Sequence, residues 1–228
     1  MAERILLPYI FEKYDETSSI KISNQHISVF EVGGRHAYIF QDLVNFLELK
    51  NLTITDIDSV VGSHNKSCPC NLNIKDIKTT NPTIKNWFNI GKNKLYISTI
   101  NDKYLKLSER EKNGDNANSL ITYQIPMGDE NMWGRTLEEQ FIIENSEWIL
   151  GKLDNIDSIK EAIKKVKEDY FENSIDINIE NITKDQLSGY CYEIVKEIEK
   201  SDFALDIINL KDWKIPNYIL EGLEWIAK

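Results

Sequence analysis

Asp56 and Asp58 are the residues whose type and spacing point most directly to chemistry. They close the run Leu52-Thr53-Ile54-Thr55-Asp56-Ile57-Asp58, which reads as a strand entering a polar loop. Side chains two apart on a strand share a face, so both carboxylates would project together with Ile57 turned away. Such a pair at a strand's end offers the hard oxygen donors that Mg²⁺ or Mn²⁺ takes. Open α/β sheets also gather their sites at the carboxyl ends of strands. Asp is equally a turn residue, able to bond its own backbone in a loop. Spacing alone leaves both readings open.

Other chemical candidates are weaker. His64, Cys68 and Cys70 could approach a zinc ion, but Cys-x-Cys with one His lacks a fourth ligand and the usual spacing, so a structural loop is expected. Glu31 closes an apolar run and reads as an edge or supporting carboxylate, and His36 as a capping or packing residue. Trp213, Tyr218 and Trp225 have the pattern of core packing, because no basic stripe accompanies them as a base-stacking platform would need.

The elements that must position these residues alternate between helix and strand. Ala2 to Tyr14 carries Ile5, Leu6, Tyr9 and Ile10 at helical spacing, and His26 to Val32 is rich in β-formers before Gly33-Gly34. Ala37 to Leu47 reads as a helix packed along one side, and Leu52 to Asp58 as the next strand. This order predicts an α/β fold with a mostly parallel sheet flanked by helices. Gly62 to Cys70 is irregular, Asn81-Pro82 starts a helix with Trp87 and Phe88 on its buried side, and Leu95 to Ser98 forms a short strand. Asn101 to Ser119 reads as a polar loop or hairpin. Helices are expected over Thr136 to Leu150, Ile156 to Tyr170, Lys184 to Lys200, Phe203 to Leu210 and Pro216 to Ile226. The composition shift near residue 150 predicts an α/β core over 1–150 and a helical lobe over 151–228.

Bulk properties narrow the function classes. The 228 residues are 41% hydrophobic and 28% charged, enough for a proper core. No apolar stretch is long enough to span a bilayer, no leader-like start is present, and three cysteines fit a reducing compartment, so a cytoplasmic protein is expected. The formal charge of −10 argues against a simple DNA-binding module, which needs clustered Lys and Arg. A nuclease that meets phosphate through carboxylate-held cations escapes that objection.

Several segments in order resemble one family. Glu31-Val32-Gly33-Gly34, a helix, and Ile54-Thr55-Asp56-Ile57-Asp58-Ser59 resemble the TOPRIM core of OLD (overcoming lysogenization defect) nucleases. Thr79-Thr80-Asn81-Pro82-Thr83, Tyr123-Gln124-Ile125-Pro126 and Gly134-Arg135-Thr136-Leu137-Glu138-Glu139-Gln140-Phe141 are similar to its later motifs. Lys200-Ser201-Asp202-Phe203-Ala204-Leu205 and Trp213 to Ile219, with Glu221-Gly222-Leu223, resemble its closing segment. The resemblance covers nearly the whole chain. It implies a TOPRIM fold and divalent-metal-dependent hydrolysis of DNA, with Asp56, Asp58, Glu138 and Glu3 as ligands of a two-ion Mg²⁺ or Mn²⁺ site. It also implies Lys200 and Glu3 as catalytic groups, with Lys200 steadying the phosphate. Two ions about 4 Å apart would suit in-line phosphodiester hydrolysis.

The resemblance also implies a departure. Glu3 fits the second glutamate of the family's opening motif, which places the first two positions before Met1. The chain is therefore expected to begin inside the motif, without the ATPase module that normally precedes this domain and without a Gly-rich phosphate loop. The alternative function is then a catalytically weak TOPRIM remnant that docks on a separate ATPase. Read bare, Glu138 is a first-turn glutamate favoured by the helix dipole and Lys200 a solvated lysine.

Overall fold

The computed structural model describes residues 2–33, 36–71, 73–89, 95–96, 118–126, 132–169 and 182–228, with 95–96 and 169 as backbone only. The expected loop at Asn101 to Ser119 lies almost wholly outside them. Helix α1 (Ala2–Thr17) repeats Ala2, Leu6, Ile10 and Tyr14 every four residues, and those four form its buried stripe. Asp15 then ties down the following turn, accepting from the backbone N–H of Ile22 (2.6 Å) and Ser23 (2.9 Å).

The next stretch departs from the sequence reading. His26 to Val32 forms no strand or helix, and Phe30 is 82% exposed. β-forming composition reports only that a segment suits a pleated, half-buried surface, and here no described neighbour supplies one. Ala37 to Leu47 divides into a 3₁₀ turn (Ala37–Phe40) and the short helix α2 (Gln41–Phe46). Ile39, Leu43, Phe46 and Leu47 are exposed, not packed. Periodicity says which side would pack, not whether anything lies there.

Strand β1 (Asn51–Ile54) stops two residues short of Asp56. Five short strands and a helix follow: β2 (Ser59–Val61), β3 (Lys66–Ser67), β4 (Cys70–Asn71), β5 (Lys78–Thr79), α3 (Pro82–Trp87) and β6 (Leu95–Tyr96). Then come β7 (Ser119–Thr122) and β8 (Met132–Trp133). β1 and β7 run parallel, from Asn51 opposite Ser119 to Ile54 opposite Thr122. Antiparallel pairs join β3-β2-β5-β6 and β4-β8.

The chain is an α/β fold whose later part is helical: α4 (Leu137–Glu144), α5 (Ser146–Lys152), α6 (Asp157–Asp169), α7 (Lys184–Gly189), α8 (Cys191–Glu197), α9 (Lys200–Ile208) and α10 (Asn217–Ala227). Helix α6 buries Ile159, Ala162, Ile163 and Val166, the i, i+3, i+4, i+7 stripe of an amphipathic helix. The residues expected as one helix from Lys184 to Lys200 form α7 and α8 instead, with a non-helical residue, Tyr190, between them.

Two apolar clusters result. The larger joins α1 to the helices from α4 to α10, centred on Phe141, whose ring meets Trp148, Phe203 and Trp213. The smaller gathers Ile57, Cys68, Cys70, Ile77, Ile84, Ile121, Tyr123 and Trp133 around the short strands, with Trp87 and Phe88 packed on it. Helix α10 bridges the two by lying on the parallel pair. A Cβ at Gly222 would stand 2.9 Å from Leu52 and 3.2 Å from Thr122, so a larger residue there would push those side chains aside. Among the described residues no helix is long and apolar enough to cross a membrane.

Candidate functional site

The segment after β1 is held by side chains, not by a sheet. Thr55 N–H extends the parallel ladder by one bond to Thr122 O (3.1 Å). Asn81 takes over from there. Wholly buried, it caps α3 by accepting from Thr83 N (2.8 Å) while its Nδ2 donates to Asp56 O (2.7 Å) and Thr55 Oγ1 (2.9 Å). Gln124, just beyond β7 and also buried, accepts from Ile57 N (2.9 Å) and donates through Nε2 to Asp56 Oδ1 (2.6 Å) and Tyr218 Oη (3.3 Å). Thr79 Oγ1 donates to Ile57 O (2.5 Å).

Glu138 and Lys200 reach the same place from two helix starts. Thr136 caps α4, accepting from Glu139 N (3.4 Å), and so sets Glu138 in the first turn with 0% exposure. Lys200, first residue of α9, brings Nζ to 2.9 Å from Glu138 Oε1 and 3.0 Å from Oε2. Only the Oε2 contact has hydrogen-bond geometry, so Oε1 is buried without a donor. Glu3, in the first turn of α1, adds its charge to Asp56 and Lys200.

The field reflects this crowding of acids. Burial, then the charges of Glu138 and Glu3, push the Asp56 carboxyl up to about 8 against the opposing Gln124 amide and Lys200. Burial works against the Lys200 ammonium, but Glu138, Asp56 and Glu3 outweigh it and hold its pKa above the lysine norm. Burial also opposes ionisation of Glu3, but its backbone hydrogen bond and Lys200 help bring it below the carboxylate norm.

Asp58 lies elsewhere. Its φ of 51° is left-handed, which ends any strand geometry, and its carboxylate turns to Arg135 (3.9 Å). Its carbonyl accepts from Thr80 N and Oγ1, each at 3.3 Å. The expected shared face for the two aspartates is therefore absent, because the alternation rule requires a regular strand through Asp58. Arg135 also turns its backbone N–H to Glu139 Oε2 (3.1 Å). Burial pushes the Glu139 carboxyl up to about 7 despite Arg135.

Residues 1–58 match the family model of the overcoming lysogenization defect protein-like TOPRIM domain. That stretch is similar to OLD-like TOPRIM sequence. It contains Glu3, Asp56 and Asp58, while Glu138 and Lys200 lie beyond it. The chain is also similar to Endonuclease GajA of Bacillus cereus (strain HuB5-5), 28% identical over 228 residues. The likeness takes in 95% of this chain but only 29% of the relative, so the chain spans under a third of that protein's length. No solved structure matches the chain.

The structure thus brings Asp56, Glu138, Lys200 and Glu3 under one field and leaves Asp58 with Arg135. Among the described residues no three His, Cys, Asp or Glu side chains converge closely enough to hold an ion as they stand. His64 is exposed and bonded to Ser63, whereas Cys68 and Cys70 are buried, so the three form no zinc cluster. Glu31 is exposed, 3.8 Å from Arg4. Sequence reasoning gave no role to Gln124, Asn81 or Arg135. Asn81 carried a signal in Asn-Pro at a helix start, and Gln124 stood in a segment resembling the family, but its partners lie 67 to 94 residues away and gave its role no local sign.

Proposed function

We propose that this chain is a divalent-metal-dependent nuclease domain that hydrolyses phosphodiester bonds in DNA. The observation that carries the reading is the shared electrostatic field of Asp56, Glu138, Glu3 and Lys200 inside a chain similar to an endonuclease. The donor set fits a hard cation: all candidate ligands are carboxylates, and Glu138 Oε1 is buried with the Lys200 ammonium beside it but no hydrogen bond. Asp56, Glu138 and Glu3 would hold Mg²⁺ or Mn²⁺, with Asp58 available to a second ion only once its carboxylate leaves Arg135. Bound metal would supply an activated water and charge stabilisation at the leaving oxygen.

The chain's own residues do the rest. Lys200, 42% exposed, is the cation that can meet a phosphate oxygen entering from solvent, giving up part of its Glu138 contact. Asp56 is held in place from two sides, its carbonyl by Asn81 and its carboxylate by Gln124. DNA must approach an acidic surface, so binding depends on the cations at the site and falls with chelation. Mixing the protein with supercoiled plasmid and Mg²⁺ or Mn²⁺ tests this. Nicking that disappears in Asp56→Asn and Lys200→Met supports the reading. Plasmid left intact at every metal concentration, with no metal bound, sinks it in favour of a docking module for an ATPase partner.

A further inference from the structure

We infer that Gln124 is a positioning residue for Asp56, fixing which carboxylate oxygen is presented to a divalent cation; this rests on the metal-site reading above. Its amide has no freedom to turn over. Oε1 accepts from the Ile57 backbone N–H at 2.9 Å, so Nε2 must face the other way, and there it meets Asp56 Oδ1 at 2.6 Å and Tyr218 Oη at 3.3 Å. A flipped amide would set Nε2 against an N–H donor and Oε1 against a carboxylate oxygen, losing both contacts at once. The side chain is fully buried, so no water takes over either bond from bulk solvent.

One amide therefore spans two consecutive residues of the site loop, locking the backbone at Ile57 and the carboxylate at Asp56. Oδ1 is committed to the amide, and among the described residues no donor reaches Oδ2, which becomes the oxygen left for a ligand. Supporting bonds of this kind orient metal-binding carboxylates in proteins generally, and their loss costs about 10–100-fold in metal affinity. Tyr218 secures the far side. It belongs to α10, and burial raises its hydroxyl pKa well above the usual value, so it meets the amide as a neutral group. The closing helix is thereby tied to Asp56 through Gln124.

Mn²⁺ binding by calorimetry on the whole chain, beside Mn²⁺-dependent nicking, tests the role. Gln124→Met keeps the volume and removes both bonds. Gln124→Asn keeps an amide but is one methylene too short to reach Ile57 N and Asp56 Oδ1 together, and it serves if the methionine variant does not fold. Both variants should bind Mn²⁺ about 10–100-fold more weakly with an unchanged circular dichroism spectrum. Cleavage should return towards the wild-type rate at saturating Mn²⁺, a change in metal requirement that a purely structural lesion would not give. Wild-type affinity in a folded variant overturns the inference and leaves the metal site standing. No Mn²⁺ binding by the wild-type chain overturns the nuclease reading and this role with it.

Discussion

Ile57 alone separates Asp56 from Asp58, and the two neighbourhoods they enter could hardly differ more. Around Asp56, Glu138 and Glu3 oppose its ionisation and Lys200 favours it, and burial lifts the Asp56 carboxyl to about 8. Around Asp58, Arg135 stands beside an aspartate at 3.9 Å and a glutamate that burial lifts to about 7. In the first pocket, burial and the charges of Glu138 and Glu3 outweigh the help that Lys200 and Gln124 give to the Asp56 carboxylate. The second is nearer balance. The left-handed turn at Asp58 makes this possible by sending its side chain away from the Asp56 pocket. The difference teaches that the two aspartates of the Asp-x-Asp motif enter separate environments in this conformation, Asp56 among other acids and Asp58 beside Arg135.

The pH dependence of stability should show the imbalance most strongly. The folded chain keeps a proton on Asp56 up to about pH 8, whereas an unfolded aspartate loses it near 3.8. Between those values the folded state binds more protons, so stability falls as pH rises. Glu139 adds to the trend between 4.5 and about 7. Urea midpoints in chelator should therefore drop between about pH 5 and pH 8 by a free energy on the order of 6 kcal/mol. Asp56→Asn should flatten most of that slope. A wild-type chain equally stable at both pH values would break the comparison at its root.

Next in size is Lys200→Met, which strands Glu138 in a fully buried position beside the other acids. Removing one partner of a buried pair costs about 3–5 kcal/mol, and the 42% exposure of Lys200 brings the expectation to about 2–3 kcal/mol. Mg²⁺ should restore part of the loss, because a bound cation replaces the missing charge. Thermal unfolding with and without Mg²⁺ reads both effects. A variant as stable as wild type in chelator would mean that Glu138 does not depend on Lys200.

How much of this was legible beforehand follows the range of the interactions. The buried stripes of α1 and α6 are local periodicities, and the sequence shows them directly. Asp56 was visible as a carboxylate after an apolar run. Asp58 was misplaced because the alternation rule assumes the strand continues, and a left-handed residue cancels it. β7 is four residues beside a polar stretch, so its pairing with β1 had no signature of its own. The exposed run at Phe30, Ile39 and Phe46 shows the opposite error, apolar pattern without a described neighbour to pack on. Gln124 was illegible in principle, since a buried amide acquires meaning only from the three groups that the fold gathers around it.

The smallest effects belong to the Asp58 side and test whether it is as balanced as described. Arg135→Met should cost about 1–2 kcal/mol, because both partners are largely buried but the Asp58 pair is long and Arg135 Nε is buried without an acceptor. A cost equal to that of Lys200→Met would erase the contrast between the two pockets. The buried thiols of Cys68 and Cys70 report on the same region without changing its stability. Burial raises both, and Arg135 partly opposes that rise. Losing the guanidinium should therefore lower the thiolate fraction and slow labelling by a disulfide reagent, since the thiolate is the nucleophile. Faster labelling would instead mean that the strands around Cys68 open when Arg135 is removed. Arg135 would then be holding the fold together there, and the calm of the Asp58 pocket would be the work of that one side chain.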